Sequence, residues 1–269
     1  MSLAIGVLVL GLVAFKLMLP SEATSSQPAP TRTVFVTPAP EVNKAAPPSP
    51  SPEPVPPPPN PESCAEVACV ALTFDDGPSA YTPALLDKLK ELEVKATFFD
   101  LGQSVANNPE PVKRAAEEGH ELGGHSWNHT SMAKQTPEQA CADADRTARA
   151  IRDAAGVETS LLRPPYGTWN DAILHACANK TFVLWDVDTL DWSTHDVAKI
   201  TAHGVDDPKP GSIVLMHGTV AETVDALPGI VAGLRAKGYK LVTVSELFDS
   251  PLAPDQAIYS GPRTGVPAG

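Results

Sequence analysis

From residue 67 onward the chain alternates short apolar runs with longer segments whose apolar residues recur every three or four positions. The runs span 67–74, 96–101, 120–123, 161–163, 182–187, 213–216 and 241–244. Several are nearly continuous in apolar residues and rich in Val, Ile or Phe, the pattern of strands covered on both faces in a parallel sheet. The intervening segments carry helix punctuation. Thr82-Pro83 opens one, with Leu85, Leu86, Leu89 and Leu92 along one face. Thr136-Pro137-Glu138-Gln139 is a capping box with Pro at the first helical position, and Gly156 closes that helix. The last helix leads to Lys237-Gly238, with Pro228 implying a late start or a kink. Seven strands alternating with helices define a single α/β domain over residues 63–250, followed by an irregular, Pro/Gly-punctuated tail over 251–269.

The first 62 residues read differently. Residues 3–15 are an unbroken run of 13 apolar or Gly residues, short for a spanning helix and suited to a secretory signal, with Ser21-Glu22-Ala23 as a cleavage site. No Lys or Arg precedes the run, so an uncleaved anchor edged by Lys16 is the second reading of residues 1–23. Either reading puts the domain outside the cytoplasm. Residues 24–62 form a Pro-rich linker: 15 of the chain's 29 prolines fall between Pro20 and Pro61, where no core can form.

Charge narrows the partners. The chain carries a net −12, and beyond residue 62 there are 17 Lys and Arg against 28 Asp and Glu. A nucleic-acid binder needs a cationic face, so the balance argues against that class, and it equally disfavours a peripheral binder of anionic lipid or of a polyanionic wall polymer. Cys64, Cys69, Cys141 and Cys177 are an even set without the paired spacing of a structural zinc site. In an oxidising compartment two disulfides follow, with three possible connectivities. The favoured one joins Cys64 to Cys69 at the entry to the first strand and Cys141 to Cys177 between two helices; the alternative leaves Cys141 and Cys177 as buried thiols.

Reactive side chains gather where strands end, the usual place for ligands in such folds. TFDDGP occupies 73–78, HSWNH 125–129, RPPY 163–166, DTLDW 188–192 and LMH 215–217. Taken singly, each has a plain reading: adjacent acids in a turn, a His pair at helical spacing, a surface Arg, core aromatics. Taken together, two imidazoles and one carboxylate make a three-ligand metal set with open positions for water and substrate. Trp127, Trp169 and Trp192 around a cleft are what sugar rings stack on, or else core aromatics. His120, His175, His195 and His203 have no partner motif and are bystanders.

The stretch 69–247 resembles the polysaccharide deacetylase (NodB-homology) domain of carbohydrate esterase family 4, whose five motifs recur here in order and unbroken. The resemblance implies a distorted, incomplete (β/α)7 barrel of parallel strands and a divalent metal, Zn2+ first, with Co2+ or Ni2+ as alternatives. It implies Asp76, His125 and His129 as metal ligands, Asp75 as general base and Arg163 as the group orienting it. His217 would be the general acid, tuned by Asp191 in preference to Asp188. The Tyr166 backbone N–H would bind the oxyanion. Pro165, Tyr166, Trp192, Leu215 and Trp127 would contact substrate, with Leu215 and Trp192 lining the acetyl pocket. The implied reaction removes N-acetyl groups from a GlcNAc-containing polysaccharide, peptidoglycan or chitin, and releases acetate. O-deacetylation of xylan on the same scaffold is the alternative, and a non-catalytic glycan-binding domain the remote one. The expected partner is the polysaccharide substrate and the protein a monomer, with no nucleic acid and a membrane only through the N-terminal segment.

Overall fold

The computed structural model describes residues 63–264. The leader over 1–23 and the linker over 24–62 lie outside the described residues. Nine strands form one sheet: β1 Cys69–Asp75, β2 Thr97–Asp100, β3 Glu121–Gly124, β4 Leu161–Leu162, β5 Thr181–Val183, β6 Val187–Asp188, β7 Ser212–His217, β8 Lys240–Val242 and β9 Gln256–Ile258. Their order is β6-β7-β1-β2-β3-β4-β5-β9, with β8 beside the first half of β1. Every strand ladder is parallel. The result is the distorted, incomplete barrel expected, with β1 at its centre and buried along its whole length.

Eight helices cover it: α1 Thr82–Glu91, α2 Gly102–Asn107, α3 Glu110–Glu117, α4 Pro137–Ala155, α5 Asp171–Ala176, α6 Asp191–Thr194, α7 Val197–Asp206 and α8 Ala221–Ala236. Leu85, Leu86 and Leu89 of α1 and Leu227, Ile230 and Leu234 of α8 are wholly buried in one cluster with Leu72 and Phe74 of β1. The capping box of α4 forms in both directions, Gln139 N–H to Thr136 Oγ1 at 3.3 Å and Thr136 N–H to Gln139 Oε1 at 3.0 Å. Gly156 ends that helix at φ 73°, a left-handed position that suits glycine. The Cys64–Cys69 disulfide ties the chain entry to β1, and Cys141–Cys177 ties α4 to the end of α5.

Three elements depart from the sequence reading. The run 182–187 is not one strand: β5 ends at Val183 and β6 begins at Val187, on opposite sides of the sheet order. Asp186 is the reason, because its carboxylate turns to accept from Ile213 N–H at 2.8 Å and Ser212 Oγ at 2.9 Å, drawing the chain across to β7. The tail beyond 250 is not irregular throughout. β9 adds to β5 in parallel register, and an antiparallel bridge from Ser260 reaches Ser212 at the start of β7. Arg263 then locks onto Asp186 at 2.6 Å. The tail thus spans the gap between the sheet's two ends, a non-local pairing with no periodic signature. Finally, α8 starts at Ala221 and runs through Pro228, so the proline neither delays nor ends it.

Candidate active site

The site is assembled at the C-terminal ends of the parallel strands. Side chains alternate along a strand, so Thr73 and Asp75 share one face of β1, as Leu215 and His217 do on β7. The two strands run in register with Thr73 opposite Leu215 and Asp75 opposite His217. Asp76 then takes φ 70°, a left-handed turn, and both carboxylates approach His125 Nε2 at 3.6 Å. Its N–H donates to Phe99 O at 3.2 Å. The next residue is glycine because a Cβ there would run into the Asp100 carboxylate.

Arg163 is wholly buried beneath this turn. One guanidinium nitrogen donates to Asp75 Oδ1 at 2.7 Å and to Thr73 Oγ1 at 2.8 Å. The others donate to the carbonyls of Val183 at 3.0 Å and Leu184 at 3.1 Å, and the plane lies 4.1 Å from the Phe99 ring centroid. Burial raises the pKa of Asp75; the charge and hydrogen bond of Arg163, with the charge of His217, pull the other way. Arg163 also works through its backbone. Its carbonyl accepts from His125 Nδ1 at 2.7 Å, which puts the bare lone pair on Nε2.

That Nε2 lies 3.6 Å from Asp76 Oδ1, and His129 Nε2 lies 3.5 Å from the same oxygen. The three ligand atoms fall within 4.8 Å of one another. Burial holds the pKa of His125 well below the usual imidazole range, so it is neutral and able to ligate. Asp76 Oδ1 is buried without a hydrogen-bond partner. A buried, orphaned carboxylate oxygen flanked by two imidazole nitrogens fits a divalent cation and little else. Two nitrogens and one oxygen are a donor set suited to zinc.

His217 faces this cluster from β7. Asp191, the first residue of α6, holds it twice: Oδ1 lies 2.8 Å from His217 Nδ1, and Oδ2 accepts the His217 N–H at 2.7 Å. Trp192 N–H and the Thr223 hydroxyl complete the carboxylate at 2.9 and 2.6 Å. Burial disfavours charge on His217, but the hydrogen bond and charge of Asp191, with Asp75 and Asp76 behind, outweigh it and raise the pKa to about 8. Asp188 points elsewhere, accepting from Leu190 N–H at 2.8 Å and Trp192 Nε1 at 3.4 Å.

A cavity of about 540 Å³ joins these groups, walled by Asp75, Asp76, His125, His129, Tyr166 and His217, with Trp185, Asp188, Trp192, Leu215, Thr219 and Val220 completing it. Tyr166 sits at φ 61° with its ring 4.5 Å from that of His129, and its N–H has no acceptor among the described residues. Two expected contacts are not on the wall. Pro165 is buried behind it, and Trp127 lines a separate groove between α2 and α4, where Arg146 covers its ring. Trp127 turns away because its N–H is held by Asp143 at 2.8 Å. Trp169 packs on Phe182 in the core. Thr73, Trp185 and Thr223 escaped sequence reading. Trp185 was hidden inside an apolar run, and a threonine in the first turn of a helix carries no distinguishing signal.

A parallel barrel with three side chains placed to hold a metal, an Arg-held carboxylate and an Asp-held imidazole around one cavity defines a hydrolase-type centre. The chain belongs to the polysaccharide deacetylase family, whose sequence profile matches residues 62–184. Metal dependence is a property of this family. The peptidoglycan-N-acetylglucosamine deacetylase PgdA of Listeria monocytogenes is 40% identical over 68% of this chain and 39% of its own length. A peptidoglycan-N-acetylglucosamine deacetylase of Bacillus cereus is 38% identical over 67% of this chain and 68% of its own. A solved structure of T48 deacetylase with substrate superposes with a TM-score of 0.70 at 44% identity, covering 73% of this chain and 98% of that one. The alignment thus spans about two fifths of PgdA.

Proposed function

We propose that this protein is a metal-dependent deacetylase that hydrolyses N-acetyl groups on a GlcNAc-containing polysaccharide and releases acetate. The observation that carries the reading is the placement of Asp75 and His217 in one register on adjacent strands, flanking the Asp76–His125–His129 cluster in one cavity. Peptidoglycan is the favoured polymer, because the relatives just described are named for it. The two disulfides support work outside the cytoplasm.

Asp76, His125 and His129 would hold a divalent cation, zinc by its donor set. Bound there, it supplies Lewis acidity toward the acyl oxygen and lowers the proton affinity of water. Asp75 takes the proton of the attacking water, and Arg163 orients that carboxylate and opposes the rise in its pKa that burial imposes. The unengaged N–H of Tyr166 donates to the oxyanion as the acetamide carbon becomes tetrahedral. An amine leaves poorly as its anion, so His217, charged through Asp191, delivers a proton to the departing nitrogen. Leu215 and the exposed Trp192 flank the acetyl methyl and the sugar ring.

The test is mass-spectrometric detection of acetate loss from peptidoglycan, chitopentaose and acetylxylan, with and without chelator. Metal-dependent loss from a GlcNAc polymer is expected. Loss from acetylxylan alone would replace the reading with an esterase, and no loss from any of them would leave a glycan-binding domain.

A further inference from the structure

The groove that holds Trp127 is a feature the reaction leaves unused. It encloses about 460 Å³ between α2 and α4, within the range of small-ligand sites. Val105, Pro109, Ala150 and Ala154 make an apolar wall, and Arg146 and Arg149 stand at its edge. The Arg146 guanidinium lies 3.4 Å from the Trp127 ring centroid. On a chain of net charge −12, two arginines one helical turn apart would ordinarily be answered by carboxylates. Here neither has a carboxylate within 4.0 Å among the described residues. Asp143 acts on Arg146 only through its field, its oxygen being taken by the Trp127 N–H at 2.8 Å. Asp153, the acid on the groove wall, is engaged by Arg152 at 3.2 Å.

The groove is also rigid and tied to the metal cluster. A Cβ at Gly102 would lie 2.6 Å from the Trp127 ring and 2.8 Å from Thr147 Oγ1, so only glycine admits the indole at that depth. Gly102 N–H and Gln103 N–H donate to the carbonyls of Ser126 and Trp127 at 3.0 and 2.8 Å, joining the start of α2 to the loop. Trp127 is two residues from His125 and two from His129, so the groove opens within roughly 7 Å of chain from either ligand.

We propose that this groove binds a carboxylate of the peptide stems carried by the glycan, with Arg146 and Arg149 pairing the anion and the apolar wall taking the aliphatic part of the peptide. The proposal builds on the peptidoglycan reading, since chitin and acetylxylan carry no peptide stems. Two guanidiniums without a carboxylate partner, one of them stacked on the Trp127 ring, suit a planar carboxylate, which each can engage through a fork of N–H donors. The contact would favour peptide-bearing strands over bare ones and seat them beside the metal loop.

Isothermal titration of the full chain with a free acidic stem tetrapeptide tests it directly, without turnover. Expected is a Kd of roughly 0.1–1 mM, weakened at least tenfold in Arg146→Ala/Arg149→Ala and in the charge-reversing Arg149→Glu, with chitopentaose deacetylation unchanged. Absence of binding by the native chain, equal binding of the tetrapeptide with all carboxylates amidated, or equal binding by both variants would overturn the proposal. So would equal affinity for a glucuronate oligomer, which would mark a general anion site. Because the peptide is not a substrate, this result stands apart from the deacetylation assays. A chain that binds the peptide but deacetylates no glycan would refute the proposed reaction and keep the groove.

Discussion

Asp191 grips both ends of His217: one carboxylate oxygen lies 2.8 Å from Nδ1 and the other accepts the backbone N–H at 2.7 Å. The acid is itself immobilised by Thr223 and Trp192 N–H, so the imidazole has one orientation, with Nε2 left for the cavity. Thr223 belongs to α8 and Asp191 to α6, so the proton donor depends on two helices meeting at the end of β7.

The pH profile should report this pair. His217 has a pKa of about 8, above the ordinary 6.5, so it is protonated below about pH 8 and loses its proton as pH rises through that value. Activity requiring the imidazolium should therefore fall on the alkaline side with a limb near 8. Asp191→Asn removes the anion while burial continues to disfavour charge, so the limb moves to lower pH and kcat/KM at pH 8 drops roughly tenfold or more. Thr223→Val should move it the same way by less, with Thr223→Ser restoring the native profile. A limb unmoved in Asp191→Asn would remove His217 as the donor.

Proton delivery matters only for a poor leaving group. His217→Ala should lower turnover of an N-acetyl sugar by about 10²-fold or more and hydrolysis of an activated phenyl acetate far less, because phenolate departs unaided. Paired kcat measurements on the two substrates decide this; equal losses would assign His217 a structural part.

Asp75 and Asp76 both lie 3.6 Å from His125 Nε2, but Asp75 is held by Arg163 and Asp76 also meets His129. Asp75→Asn should cut turnover at least ~10²-fold while zinc content stays at one per chain. Asp76→Asn or His125→Ala should instead strip the metal. Zinc returned to the native apoprotein at a hundred times its Kd should add about 2.7 kcal/mol of stability, seen as a rise in Tm that both of these ligand variants lack.

The chemistry was more legible than the architecture. Asp75, Arg163 and His217 could be read because strand-end loops gather polar residues that a buried parallel strand excludes, so TFDDGP and LMH stand out against apolar flanks. Asp191 rather than Asp188 contacts His217, and Trp127 lies against Arg146 in a separate groove. A side chain between two ligands can turn outward when its N–H is captured from another helix, as Asp143 captures it here. Strands of two residues, such as Leu161–Leu162 and Val187–Asp188, are too short for periodicity to define. The pairing of Gln256–Ile258 is set by a partner some 75 residues away, Thr181–Val183, and no local pattern encodes it.

That late strand has a functional consequence. Ile258 O accepts the Leu184 N–H at 2.7 Å, and Leu184 O in turn accepts from Arg163 at 3.1 Å. The tail therefore braces a carbonyl that helps hold Arg163 against Asp75. Ending the chain after Ser250 should expose the β5 edge and the buried Ile258 contact surface, lowering Tm and favouring aggregation. The milder Arg263→Ala removes the lock on Asp186 and the bonds to Pro210 O and Ser212 Oγ at 3.3 Å, and should cost about 1 kcal/mol, with Tm slightly reduced and kcat preserved. Between them, Ile258→Ala, which keeps the backbone bond but thins the packing, should lower Tm by several degrees with a smaller loss of kcat than truncation. Thermal melts and kcat on one N-acetyl substrate across the three chains would order them; a truncated chain as stable and active as the native one would show that β9 is dispensable to Arg163.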